Sequence, residues 1–271
     1  MKKQYLGQEL ADEIRKRYDY LQNNHFNIRD RCRELMTHEI VNTAQVHSYR
    51  MENAQISVPF SVPRNKHKKD IRRGIKNIER AFEWGFTHFN PDSFDESFMR
   101  EIAGRVTPDL YDEKKIAKYR ETSTRITGAS VMPPYPAKLI AYEIPAFVDS
   151  LNKQLRCKKI INGVETAIFA HLNLARMHPF VDGNGRTARV LQNVILYHYG
   201  LPPPVIETGE RMMYYTLLGK AVSGSDENKA FGKQNVTEGE QLFYEFIGGK
   251  INSSLDKIID YCSHFHPNSN I

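Results

Sequence analysis

His178-Pro179-Phe180-Val181-Asp182-Gly183-Asn184-Gly185-Arg186-Thr187-Ala188-Arg189 separates two segments of helical spacing. Before it, Val164, Ala167, Ile168, His171, Leu172 and Ala175 fall on one helix face; after it, Leu191, Val194, Ile195 and His198 do the same. The stretch is therefore a helix–loop–helix joint. Pro179 stops the first helix, and Phe180 reads as an apolar peg that holds the loop to the core.

The chemistry of the joint follows from its side chains. Gly183 and Gly185 permit backbone conformations barred to other residues and let a ligand come close to the main chain. The N–H groups that open the second helix, with the positive end of its dipole, make an anion nest over Gly183, Asn184 and Gly185. Arg186 and Arg189, three residues apart, add two cationic forks suited to phosphate oxygens. Asp182 is a hard oxygen ligand at the mouth of the nest, where a magnesium ion bridging phosphates needs one. His178 is the motif side chain able to act as a base near neutral pH. Base, metal ligand, nest and two arginines describe phosphoryl or nucleotidyl transfer. A Walker A loop is excluded because no lysine follows Gly185. An EF-hand from Asp182 is excluded because Thr187 and Asn193 stand where glycine and glutamate are required.

At every specified position these residues match H-x-F-x-[DE]-G-N-G-R-x-x-R, and the chain resembles the Fic family, over about residues 119–246. The resemblance implies a mainly α fold, a helical bundle with a small β-hairpin flap beside the active site. It implies transfer of AMP from ATP to a Tyr, Thr or Ser hydroxyl of a target protein. In that reading His178 is the base, Asp182 the Mg2+ ligand, Gly183, Asn184 and Gly185 the nest, and Arg186 and Arg189 the phosphate clamps. Family members that act as kinases carry lysine where this chain has Gly185, which argues against the kinase variant. Upstream, Ser48-Tyr49-Arg50-Met51-Glu52-Asn53 fits [ST]-x-x-x-E-[GN], a sequence that Fic proteins carry on an inhibitory helix. The resemblance makes Ser48, Glu52 and Asn53 inhibitory, with Glu52 paired to Arg189. Residues 119–136 adjoin the motif, and Arg125, Ile126, Thr127, Gly128, Ala129 and Ser130 are expected to form the flap that docks the target's main chain.

With 271 residues, 40% hydrophobic and 11% aromatic, the chain can bury a sizeable core. The expected organisation is an N-terminal helical region carrying the inhibitory motif over 1–110, a catalytic core over 111–250, and a helix end and tail over 251–271. No apolar run reaches the ~18 residues of a membrane span, and Met1-Lys2-Lys3-Gln4-Tyr5 lacks a signal-peptide pattern, so a soluble, cytoplasmic protein is expected. Cys32, Cys157 and Cys262 lie far apart without metal spacing, as reduced thiols do. His38-Glu39 is not a zinc-protease helix, because Asn42 stands where histidine is needed. The net charge of +6 is concentrated partly at residues 64–76, which read as a solvated face or a patch for an acidic target or nucleic acid.

Local patterns predict helices over 29–46, 71–82, 94–103, 212–221 and 242–261. They predict loops over 57–69 and 223–239, a turn at Asn90-Pro91-Asp92, and Pro145 in a first helical turn. Trp84, Phe86, Phe89, Phe94 and Phe98 read as core, and His171 as a hydrogen-bonded core histidine. The partners implied are a target protein with an accessible hydroxyl, self-modification and a homo-oligomer, with no membrane; nucleic acid is a minor reading. The competing functions are transfer of another nucleotide, removal of AMP, or a nucleotide-sensing or DNA-binding regulator without turnover.

Overall fold

The computed structural model describes residues 5–23, 41–53, 64–111, 116–124, 138–230 and 235–265. Among them the α-helices are α1 (Gln8–Asn23), α2 (Val41–Asn53), α3 (Arg64–His88), α4 (Glu96–Val106), α5 (Lys138–Leu155), α6 (Ile160–Met177), α7 (Asn184–His198), α8 (Arg211–Ala230) and α9 (Glu238–Phe265). The fold is mainly helical, as expected. The described residues contain no strand, only an isolated antiparallel bridge between Tyr119 and Phe180. The flap expected at Arg125, Ile126, Thr127, Gly128, Ala129 and Ser130 lies outside the described residues, as do 29–40 of the expected second helix and Cys32.

The bundle is built around α6. Its Val164, Ala167, Ile168, Leu172, Leu174, Ala175 and Met177 are buried, and so are Glu165, Thr166, His171 and Arg176. A helix with apolar residues on every side has no face to give to water and ends in the centre of a domain. Accordingly α7 packs along it, while α1, α5, α8 and α9 close its other sides. α3 and α4 then cover the far side of α7.

Gly74 on α3 leaves the space that the Tyr49 ring fills, and this seats α2 against both α3 and α7. The last turn of α2 is fixed by Arg211, whose Nε donates to the Met51 carbonyl at 2.6 Å, a cation placed at a helix C-terminus. His47 Nδ1 accepts from the Thr208 N–H at 3.0 Å, a second tie from the segment before α8. Ser48 therefore faces α7 from a helix held at several points.

Four local expectations are corrected. α3 starts at Arg64 rather than after Lys69, because the Lys and Arg run between them has high helix propensity and no breaker follows Pro63. It also passes Gly85 to end at His88; a Cβ at Gly85 would sit 2.7 Å from Val194 Cγ2, so close packing on α7 favours glycine inside the helix. Pro145 lies within α5, not in its first turn. The proline removes one internal hydrogen bond on the exposed side, while Ile140, Ile144, Phe147 and Leu151 anchor the buried side. The loop expected at 223–239 is shorter. α8 continues to Ala230, with Asp226 paired to the buried Arg176 at 3.2 Å. α9 then opens on a Thr237–Glu240 capping box, in which the Thr237 N–H meets Glu240 Oε2 at 3.0 Å and the Glu240 N–H meets Thr237 Oγ1 at 3.2 Å.

Ser93 N–H donates to the Asn90 carbonyl at 3.3 Å, closing the turn, and Asp95 caps α4 by accepting from the Phe98 N–H at 2.9 Å. Phe94 is buried, and Trp84, Phe86, Phe89 and Phe98 pack against the core around it. No helix among the described residues is long and apolar enough to cross a membrane.

Candidate active site

α6 ends at His178, which has φ 48° and ψ 53° and donates its N–H to the Leu174 carbonyl at 3.0 Å. It is the one described non-glycine residue with positive φ. A residue before proline is ordinarily extended, so this conformation needs support from outside and costs on the order of 1–3 kcal/mol by itself. Arg120 supplies the support. Its Nε donates to the His178 carbonyl at 2.7 Å, Nη2 to the Met177 carbonyl at 3.4 Å and Nη1 to the Thr122 carbonyl at 2.9 Å. Its backbone N–H donates to the Pro179 carbonyl at 2.8 Å. Burial pushes the Arg120 guanidinium pKa down, and it sits where a helix C-terminus favours a cation.

Beyond His178 the loop closes on itself. Asn184 Oδ1 accepts from the Phe180 N–H and Asn184 Nδ2 donates to the Phe180 carbonyl, both at 2.8 Å. The expected peg is present: Phe180 is fully buried, with its ring stacked 5.7 Å from that of Tyr119. Gly183 is the N-cap of α7 with φ 76°, and a Cβ there would lie 2.8 Å from Thr107 Cγ2. Glycine is thus required by conformation and by space together. Because Gly183 has no side chain and Asn184 is committed to Phe180, no side chain caps the α7 N-terminus, which leaves it the character of an anion site.

Asp182 and Arg186 meet each other, with Arg186 Nη2 at 2.9 Å from Asp182 Oδ2. The Asp182 side chain is 59% exposed and the Arg186 side chain 11%, so the carboxylate stands toward solvent at the rim of the nest. Arg189, three residues on, is turned inward and is 6% exposed. Its Nε donates to Ser48 Oγ at 2.7 Å, its Nη2 to the Ser48 carbonyl at 3.1 Å, and its Nη1 to the Tyr214 hydroxyl at 3.4 Å. One bidentate edge of this guanidinium is thus held by α2. The side chains of Glu52 and Asn53 lie outside those described, although their backbone belongs to α2.

Among the described residues no cluster of three or more His, Cys, Asp or Glu is arranged to hold a metal ion. The basic stretch is partly neutralised, with Arg73 3.1 Å from Asp109 and 3.8 Å from Asp70. His171 is buried as expected, between Gln192 and Tyr214. Nothing in their sequence neighbourhood marks Arg120 or Tyr214 as part of the site. Tyr119-Arg120 adjoins the motif's expected neighbour, but the carbonyls that Arg120 grips leave no trace in side-chain identities.

The Fic/DOC family model matches residues 93–196. Protein adenylyltransferase Fic of Nematostella vectensis is 39% identical over 125 residues, which are 46% of this chain and 27% of that protein. Protein adenylyltransferase fic-1 of Caenorhabditis elegans is 33% identical over 127 residues, 47% of this chain and 24% of that protein. The chain thus spans about a quarter of the length of these relatives. A Fic-domain-containing signaling protein from Bacteroides thetaiotaomicron superposes with TM-score 0.65 at 21% identity, covering 94% of this chain and 98% of that one. Residues 134–508 of Fic-1 from C. elegans superpose with TM-score 0.64 at 20% identity, over 94% of this chain and 73% of that one. These two superpositions show the shared fold.

Proposed function

Because residues 93–196 match the Fic/DOC family model, we propose that this protein is an adenylyltransferase that transfers AMP from ATP to a Tyr, Thr or Ser hydroxyl of a target protein. The observation that carries the reading is the loop between α6 and α7, where a histidine held in a left-handed conformation by Arg120 stands beside an uncapped helix N-terminus.

In this reaction His178 takes the proton of the attacking hydroxyl, the oxygen bonds to the α-phosphorus, and the bond to the leaving oxygen breaks to release pyrophosphate. The nest over Gly183, Asn184 and Gly185 orients the phosphates, and Arg186 and Arg189 offset their charge. Asp182 fits a magnesium ion of the kind that keeps most of its waters and is shared with phosphates: it is a single exposed carboxylate at the nest, with no cage of carboxylates around it among the described residues. Bound there, the ion would draw negative charge from the phosphate oxygens. Arg186, now paired to Asp182, would turn to phosphate when the carboxylate takes the cation.

The same proposal makes α2 inhibitory, through Ser48, Glu52 and Asn53. It is supported by Ser48 holding the Nε and Nη2 edge of Arg189, the edge a phosphate would use. The flap at 125–130 would dock the target. The regulatory role falls to the residues before the Fic/DOC match at 93–196, and α9, with Ile251, Leu255 and Ile258 buried, belongs to the bundle past the expected boundary at residue 250.

The test is incubation with labelled ATP, GTP, CTP or UTP and a cell extract, followed by a search for labelled protein. Label from ATP on a protein hydroxyl is expected. Label from another nucleotide alone would reassign the donor, and salt-sensitive DNA binding with no labelled product would favour a regulator instead.

A further inference from the structure

We propose that Tyr214, aligned by His171 and Gln192, is a positioning residue that sets the orientation of the Arg189 guanidinium for nucleotide phosphate. This rests on the phosphate-binding role given to Arg189 above.

Four polar side chains from α6, α7 and α8 run through the centre of the bundle. Arg189 Nη1 lies 3.4 Å from the Tyr214 hydroxyl, that hydroxyl 2.8 Å from His171 Nε2, and His171 Nδ1 2.6 Å from Gln192 Oε1. The direction of each bond is forced. Arginine only donates, so the Tyr214 oxygen accepts from it. The Gln192 amide oxygen only accepts, so His171 carries its proton on Nδ1; Gln192 Nε2 donates instead to Asn193 Oδ1 at 3.3 Å, consistent with that amide orientation. Nε2 is then a bare lone pair, and it takes the Tyr214 O–H. A charged imidazolium would reverse the middle bond. Burial, and secondarily Arg189, keep His171 neutral by pushing its pKa down to about 3.

His171 is wholly buried, Gln192 and Tyr214 nearly so, and leucine or phenylalanine would fill such space without the cost of desolvating polar groups. The chain lies directly behind the last arginine of the motif. Its contact uses Nη1, on the side of the guanidinium away from the edge held by Ser48, and the Tyr214 ring centroid is 5.9 Å from Arg189 Cζ. With Ser48 bound or withdrawn, the hydroxyl is placed to hold Nη1 and so fix where the remaining edge points.

The experiment measures ATP and adenosine affinity by calorimetry on the full chain. Tyr214→Phe should weaken ATP binding about tenfold, the loss of a hydrogen bond to a charged group, and leave adenosine unchanged. His171→Gln keeps an acceptor at the position of Nε2 and should retain ATP affinity. His171→Asn, too short to reach the hydroxyl, should behave like Tyr214→Phe. Wild-type ATP affinity in Tyr214→Phe overturns the proposal, as does an equal loss for ATP and adenosine, which would mark a general packing defect. A wild-type chain that binds no nucleotide would count against the function proposed above, before any variant is made. The positioning is then read from the Arg189 guanidinium resonances. Separately resolved Nη signals in the wild type that merge in Tyr214→Phe support it, and spectra alike in both overturn it.

Discussion

Arg189 gives its Nε to Ser48 Oγ at 2.7 Å and its Nη2 to the Ser48 carbonyl at 3.1 Å, so a hydroxyl and a backbone oxygen from α2 occupy one bidentate edge of a motif arginine. An anion that needs that edge must displace both. Only the hydroxyl can be removed by substitution. Ser48→Ala should raise labelling of protein modestly, a few-fold, because the carbonyl stays. Glu52→Gly should raise it more, because the proposed inhibition sets the Glu52 charge against phosphate. Labelling equal among wild type and both variants, across a range of ATP concentrations, would reject built-in inhibition.

His178→Ala should abolish transfer, by ~10² to 10⁴ in rate, and leave ATP affinity nearly intact. Separate measurement of label incorporation and of ATP binding checks this. Wild-type labelling would remove His178 from the role of base.

Asp182→Ala should lose the magnesium dependence of nucleotide binding, because the carboxylate at the nest is then absent. Titration of ATP with and without Mg2+ is the measurement. Since the variant also removes the partner of Arg186, affinity for ATP without metal should be kept or rise. An unchanged dependence on Mg2+ would place the ligand elsewhere.

Arg120→Lys keeps the charge but loses the planar fork that reaches two turns of backbone at once. We expect kcat to fall at least tenfold with KM for ATP little changed, since the residue supports the base rather than the phosphates. A melting-temperature loss with kcat intact would make Arg120 a stabilising contact only.

His171 makes stability depend on pH. Burial, and secondarily Arg189, depress its folded pKa to about 3 from the ordinary histidine value of 6.5, so between those values the unfolded chain binds a proton the folded chain does not. Stability is therefore full above about pH 6.5 and falls as pH drops toward 3, by about 1.4 kcal/mol per unit. Urea unfolding at a series of pH values should show this slope in the wild type. His171→Gln should flatten it.

The helices that place the site could be read because their signal is local: α6 and α7 repeat apolar residues at helical spacing, and the joint between them is a dense run of unusual side chains. Where tertiary context decides, a local rule misleads. Pro145 by itself suggests a helix start, but an exposed proline in a helix whose other side is buried is tolerated. Residues 223–239 look like a polar loop, yet Thr237 and Glu240 already spell a capping box, and Asp226 needed a partner on α6 to be read as helical. Arg120 and Tyr214 lie beyond reach for another reason: two of the three carbonyls that the Arg120 side chain holds are 57 and 58 residues away, and the partners of Tyr214 lie on two other helices.

The left-handed turn at His178 and the glycine cap at Gly183 place opposite ends of two helices a few residues apart. His178 stands at the C-terminal, electronegative pole of α6, and the nest at the N-terminal, electropositive pole of α7. In the proposed transfer a proton arrives at the first pole while negative charge gathers at the second. In that transfer the loop would be a short gap across a standing field, with both charges moving in the direction the two helix ends favour.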